Sequence, residues 1–223
     1  MSDNRLLILE MQDGMMCNND KDTVNIMIDK AIENKPDHID LVFKWQLYTK
    51  IKTYVDIISL RHDIFEYAYE YAAKCGFKTT ASVFDKENLE YLKQFDIPFI
   101  KIACQTDLYD FRKDTWSLLS DDIKNVVSVK NSDDHNKLNY IGIENPPYDI
   151  ELLSCIPKYP AIIKEYEDSF YFDQLQEGIS DHTIGLELYK KYKPNIFEKH
   201  YYIDGLESWD KDWAIKPEEL KLL

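Results

Sequence analysis

The chain is short of basic charge, arginine, cysteine and long apolar runs. Its 27 lysines and arginines face 41 aspartates and glutamates, a formal net charge of −14 over 223 residues. That deficit excludes the basic surface on which non-specific nucleic-acid binding or docking to an anionic membrane depends. Arginine is confined to Arg5, Arg61 and Arg112, so a protein this acidic must gather cations locally if it binds an anion. The four cysteines, Cys17, Cys75, Cys104 and Cys155, show no CxxC spacing and lie in or beside apolar segments. This argues against a disulfide framework or a zinc site and for reduced thiols in the cytoplasm. The N-terminal MSDNRLLILEMQDG is too short an apolar run for a signal peptide, and no other run is long enough to span a bilayer. No Gly/Ser linker, low-complexity tract or internal repeat divides the chain. The expectation is one cytoplasmic domain over residues 1–223.

What is present is a sizeable apolar fraction, 44%, enough to bury a core. It is arranged as short apolar runs alternating with longer segments of helical spacing, the mark of βα units and a parallel sheet. Strands are predicted at 6–11, 39–46, 78–84, 99–104, 125–130, 150–156, 177–183 and 195–203, and helices at 22–33, 62–74, 86–94, 160–174 and 185–192. Asp85 reads as an N-cap and Gly76 as a C-terminal stop. Residues 131–148 are polar, hold Pro146-Pro147 and offer at best a stunted helix. Eight units fit an α/β fold of the (β/α)8 TIM-barrel type better than an open sheet, with a doubly wound sheet as the rival.

In such a barrel, strand residues alternate between interior and helix-facing sides, and active sites lie at the C-terminal strand ends. Polar residues inside apolar strands are therefore the informative ones: Glu10, Lys44 with Gln46, Ser82, Lys101, Ser180 with His182, and Glu198 with His200. Each lies near the C-terminal end of its strand, and members of a pair are two apart, hence on one side. A single strand histidine is usually just a hydrogen-bonded polar residue, but His182 and His200 fall at matching ends of the last two strands, where two imidazoles suit a divalent metal. His38, His62 and His135 sit in loop or helix-start contexts and read as solvated. Lys44 and Lys101, embedded among apolar neighbours, are costly to bury alone. Either they pair with Glu10 or Glu198, or both ammonium groups point into the mouth to bind an anion such as a phosphate. The stretch Phe65–Tyr71, rich in tyrosine, reads as an amphipathic helix covering the barrel.

The run Gly178-Ile179-Ser180-Asp181-His182-Thr183-Ile184-Gly185, followed by Phe197-Glu198-Lys199-His200-Tyr201, resembles the GxSDHTxG and EKHF signatures of the sialic acid synthase family, which includes N-acetylneuraminate, legionaminate and pseudaminate synthases. Leu9-Glu10 resembles the glutamate of the first-strand AEIG motif, Phe43-Lys44-Trp45-Gln46 the VKFQ, and Ala81-Ser82-Val83-Phe84-Asp85 the STPFD. Ile100-Lys101-Ile102-Ala103-Cys104 is similar to YKIGS or FKIAS, and Leu152-Leu153-Ser154-Cys155 with Tyr159-Pro160 to LLHC…YP. Asp210, seven residues before Pro217, matches the D…EP spacing. The resemblance covers nearly the whole chain.

It implies a metal-assisted condensation, in which C3 of phosphoenolpyruvate attacks the aldehyde of an open-chain N-acetylhexosamine, water adds at C2, and phosphate leaves to give a nine-carbon 2-keto sugar acid. By motif, His182 and His200 would hold the divalent metal, manganese or magnesium. Lys44, Gln46, Ser82, Lys101 and Ser180 would bind substrate, and Glu10, Glu198 and Asp210 would be the catalytic groups facing it.

The chain departs from the pattern in several places. Met11-Gln12-Asp13-Gly14 replaces an Asn-His, Cys104 replaces a serine, and Thr106 stands near an expected glutamate. Val127-Ser128-Val129-Lys130 replaces LSTG, and Pro157-Lys158 a polar pair; Lys130 and Lys158 read as new anion contacts or as surface residues. The family's C-terminal antifreeze-like domain is expected to be absent, which implies a homodimer or a separate chain that supplies it. Three readings stay open: a minimal synthase, a barrel keeping metal and anion binding but acting on another substrate, and a non-catalytic relative.

Overall fold

The structure, a computed structural model, describes residues 5–49, 58–104, 118–130, 149–169 and 178–223. Among the described residues eight strands and five helices follow in the order β1 (Arg5–Gln12), α1 (Lys21–Asn34), β2 (Ile39–Leu47), α2 (His62–Lys74), β3 (Lys78–Val83), α3 (Lys86–Leu92), β4 (Ile100–Ile102), β5 (Asn125–Val129), β6 (Ile150–Cys155), α4 (Ile163–Glu167), β7 (Gly178–Asp181), α5 (Glu187–Tyr192) and β8 (Ile196–His200). A C-terminal 3-10 helix, Pro217–Leu222, follows. All neighbouring strands pair in parallel, and β1 pairs with both β2 and β8. The sheet therefore closes into an eight-stranded barrel, which rules out the open doubly wound alternative.

Local chemistry sets the helix ends. Asp20 caps α1 by accepting the Thr23 N–H at 2.8 Å, and Asp85 caps α3 by accepting the Asn88 N–H at 2.8 Å. Helix α2 stops where expected, at Gly76, whose φ of +88 is open to glycine without steric cost. On α1 the buried residues Val24, Met27, Ile28 and Ala31 recur at helical spacing, as do Ile64, Phe65, Ala68 and Ala72 on α2. The tyrosines of α2 fasten it to α1: the Tyr67 hydroxyl donates to Asn25 and the Tyr71 hydroxyl to Asp29, each at 2.9 Å.

Some boundaries moved for tertiary reasons. The helix expected from 160 begins at Ile163, because Ala161 is held in a bridge to Thr183 and its N–H donates to the His182 carbonyl. Strand β8 ends at His200, not at 203, because the chain turns to pair Tyr201 with Ile215. Strand β4 is three residues long, shorter than expected. The stretch 131–148, and with it His135, Thr106 and Arg112, lies outside the described residues.

Among the described residues two apolar cores result. The larger lies between the outward strand faces and the helices, around residues such as Phe43, Trp45, Phe65 and Phe197. The smaller lies inside the barrel and consists of Ile8, Val42, Phe99, Val126 and Leu153, with Leu6 and Ile196 against it. Strand β7 joins the wall at Gly178, where an added Cβ would come within 2.7 Å of the Leu152 carbonyl, so only glycine lets β6 and β7 approach this closely.

Candidate active site

Two residues beyond the interior apolar plug, on the same inward face, every strand that contributes to the plug turns to another chemistry: Ile8 gives way to Glu10, Val42 to Lys44, Phe99 to Lys101, Val126 to Ser128, Leu153 to Cys155 and Ile196 to Glu198. Register brings them together, with Glu10 opposite Lys44 and His200, Gln46 opposite Ser82, Ser82 opposite Lys101, and Ser180 opposite Glu198. Every site residue expected from sequence on the strands thus lies at one mouth, and Asp210 joins them from the segment after β8.

The lysines have partners within the barrel. Lys44 Nζ contacts Glu10, lies 2.8 Å from Glu198 Oε1 and donates to Ser82 Oγ at 2.8 Å. Lys101 Nζ lies 3.2 Å from Glu198 Oε2, an ionic contact rather than a well-aligned hydrogen bond, and donates to Ser128 Oγ at 2.8 Å. Two lysines therefore face two carboxylates, so their desolvation is offset internally, the first of the two arrangements left open by the sequence. The balance is uneven. Burial would depress the Lys44 ammonium, but Glu10 and Glu198 together hold it above the usual lysine value. Burial wins at Lys101, helped by the charge of Lys44, and leaves that ammonium below its usual value. For Glu198 burial pushes upward, yet Lys101 and Lys44, with the Ser180 hydroxyl, hold it well below the ordinary carboxylate range.

The histidines sit above this ladder. Their ring centroids are 5.4 Å apart, and Tyr159 packs over His182 at 4.3 Å. Each has its Nδ1 held by an acceptor: the Ile156 carbonyl at 2.8 Å for His182, and Asp210 Oδ2 at 2.7 Å for His200. In the neutral form each ring therefore carries its proton on Nδ1 and presents Nε2, which has no partner among the described residues, as a lone-pair donor, the arrangement that metal-ligating histidines show. Ligation at about 2.1 Å per nitrogen would put the ring centres about 5 Å apart, close to the separation found. Burial, reinforced by His200, pushes the His182 imidazole down to about 3, so it is neutral at physiological pH. Burial also opposes charge on His200, but Asp210 reverses the outcome and raises it. Among the described residues no group of three or more His, Cys, Asp or Glu forms a metal-holding set.

Residues beside the two histidines hold them in place. Asp181 and Lys199, both fully buried on the outer face, pair at 2.9 Å, and Asp181 also accepts the Thr183 N–H at 2.7 Å. The Tyr166 hydroxyl, from α4, donates to the Ser180 carbonyl at 2.7 Å and accepts the His182 N–H at 3.1 Å. Sequence reasoning passed over Ser128, although a polar residue in an apolar strand was the signal used on six other strands. It also passed over Gln12, one residue beyond the predicted end of the first strand, and Ser208, which lies outside any strand. Of the two added lysines, Lys158 is exposed and pairs with Glu165 at 2.6 Å, while Lys130 is exposed at the end of β5. His38 and His62 are exposed, as expected. Cys104 lies beside Cys155, which contacts His182 Nδ1 at 3.9 Å.

A closed parallel barrel with its polar groups gathered at the C-terminal strand ends has the layout of a (β/α)8 enzyme. More narrowly, the chain belongs to the NeuB family, whose model matches residues 29–223. It is similar to the pseudaminic acid synthases of two Campylobacter jejuni strains, at 24% identity over 205 residues, covering 84% of this chain and 58% of theirs. The chain thus spans little more than half the length of these relatives. Among solved structures it matches the N-acetylneuraminic acid (sialic acid) synthetase of Leptospira borgpetersenii, solved in complex with citrate, with TM-score 0.76 and 21% identity over 98% of this chain and 81% of that one. A DAHP synthase from Thermotoga maritima follows at TM-score 0.61 and 12% identity, over 98% and 68%. At these identities the structural likenesses show the fold. Among the described residues no helix is long and apolar enough to cross a membrane.

Proposed function

We propose that the chain is the barrel of a sugar-acid synthase, a transferase of carbohydrate biosynthesis that joins phosphoenolpyruvate to an N-acetylhexosamine-type aldehyde. The observation that carries this is the histidine pair, each ring anchored through Nδ1 and with no described residue at Nε2, set directly above the lysine–glutamate ladder. His182 and His200 would hold a divalent ion, manganese or magnesium. Such an ion would supply Lewis-acid polarisation of the acceptor aldehyde and the positive excess that two lysines balanced by two carboxylates lack. Lys44, Lys101, Ser82 and Ser180 bind the phosphoenolpyruvate anion, Lys101 giving up part of its contact with Glu198 to do so. Gln46, partly exposed beyond Lys44 on the same face, orients the acceptor. Glu10 and Glu198 move protons at the acceptor's aldehyde oxygen and at the water that adds to C2, and Asp210 holds the Nδ1 proton of His200. The family and the pseudaminic acid synthase relatives support this reading.

The direct test is phosphate release from phosphoenolpyruvate with manganese and a panel of N-acetylhexosamines. Release that depends on one sugar is expected; no release with any of them, while phosphoenolpyruvate still binds, would favour a barrel acting on a different substrate. Calorimetry should show manganese binding abolished in the His182→Ala, His200→Ala double variant, and unchanged binding there would sink the metal assignment. Because each imidazole must give up or lack its Nε2 proton to ligate, affinity should weaken as pH falls.

A further inference from the structure

Gln12, the last residue of β1, is buried and has φ +65. That left-handed backbone costs a side-chain-bearing residue steric strain and suits glycine. Glycine is also what the AEIG motif carries two residues after its glutamate, the place that Gln12 holds after Glu10. A backbone shaped for glycine here bears a long amide, which points to a task for the amide.

Its hydrogen bonds run in one direction. Gln12 Nε2 donates to the Tyr201 carbonyl at 2.8 Å, and because a carbonyl only accepts, the amide orientation is fixed. Oε1 must then accept, and it takes the Ser208 hydroxyl proton at 2.6 Å. With that proton committed, the Ser208 oxygen accepts the Asp210 N–H at 3.0 Å. Asp210 Oδ2 in turn accepts His200 Nδ1–H at 2.7 Å. The circuit leaves His200 through its ring and returns to Tyr201, the next residue. The Gln12 N–H meanwhile donates to Glu10 Oε1 at 2.8 Å, so one residue braces both the histidine and the lysine–glutamate ladder.

We propose that Gln12 is a positioning residue that acts through Ser208 and Asp210 to hold His200 in the Nδ1–H tautomer, with Nε2 the free nitrogen. Its purpose rests on the reading of His182 and His200 as metal ligands; its test does not. Two variants break the circuit at different links. Gln12→Gly removes the amide and relieves the left-handed strain, and Ser208→Ala removes the middle link without touching that backbone. Long-range proton–nitrogen NMR of the metal-free protein, at an alkaline pH where the ring is neutral, reads the His200 tautomer directly. A single Nδ1–H form is expected in the wild type and a mixture of tautomers in both variants, with the melting temperature of Gln12→Gly unchanged or higher. Manganese affinity should fall about tenfold, at the low end of what loss of a ligand's hydrogen-bonding support costs. If His200 keeps its single tautomer in both variants, the proposal is overturned, whatever happens to stability. If the tautomer is lost but wild-type protein binds no manganese, the positioning role stands and the metal reading falls.

Discussion

The two halves of the barrel interior are built from the same strands and face the same way, yet they do opposite things. Toward the N-terminal ends, Ile8, Val42, Phe99, Val126 and Leu153 interlock as a dry plug. One inward step further along, Glu10, Lys44, Lys101, Ser128, Cys155 and Glu198 form a buried polar layer. The plug gains free energy from removing apolar area from water. The polar layer gains little, because the Coulomb attraction of its ion pairs is spent on desolvating them. The comparison teaches that stability comes from the plug, while the polar layer gathers charge at the mouth above an apolar floor.

The comparison can be broken most sharply by two substitutions of similar cost and different consequence. Glu198→Leu strands Lys101 without a carboxylate and leaves Lys44 with Glu10 only; chemical denaturation should show a loss of about 3–5 kcal/mol, together with loss of phosphoenolpyruvate binding. Phe99→Ala, in the plug, should cost about 3–5 kcal/mol through the cavity it opens, yet leave manganese and phosphoenolpyruvate titrations unchanged in the folded protein. If Phe99→Ala lost the ligands too, the two layers would not be separable.

A subtler change sharpens the contrast. Lys101→Met keeps the volume and removes an ammonium that burial already depresses, while Glu198 retains Lys44. Stability should fall, though by less than in Glu198→Leu, because Lys44 alone is then left to balance two buried carboxylates, Glu10 and Glu198. Binding of phosphoenolpyruvate should weaken by about 1.5–3 kcal/mol, the worth of one charge-assisted hydrogen bond. Calorimetry on wild type and variant decides it: equal affinity would make Lys101 a structural partner of Glu198 and nothing more.

The smallest expected effect lies at the rim. Asp85 is partly buried, which alone would raise its carboxyl, but the N–H groups of Asn88 and Thr49 hold it below the usual 3.8. A carboxyl depressed on folding stabilises above its unfolded value and loses that contribution as pH falls through its folded value. Asp85→Ala should therefore cost about 1 kcal/mol near neutrality, and the difference from wild type should shrink on acidification below 3.8. A pH-independent difference would mean that the cap acts by shape and not by charge.

The sequence by itself determined the fold and most of the site's roster. Period-two alternation put Glu10, Lys44, Lys101, Ser180 and Glu198 on inward faces near strand ends, and the motif around His182 and His200 named the family, because side-chain direction in a strand is a local property. Alternation has meaning only where a strand persists, so it stopped helping past His200, where the chain turns back to pair Tyr201 with Ile215. Only the tertiary structure decided that the lysines are balanced by two glutamates, since ion pairing across four strands depends on closure and register. Only it showed which imidazole nitrogen is free, because the acceptors at Ile156 and Asp210 are 26 and 10 residues away along the chain. And only it set Gln12 beside Ser208, 196 residues later, because a left-handed residue at a strand end and a serine in a distant loop share no sequence pattern until barrel closure brings them into contact.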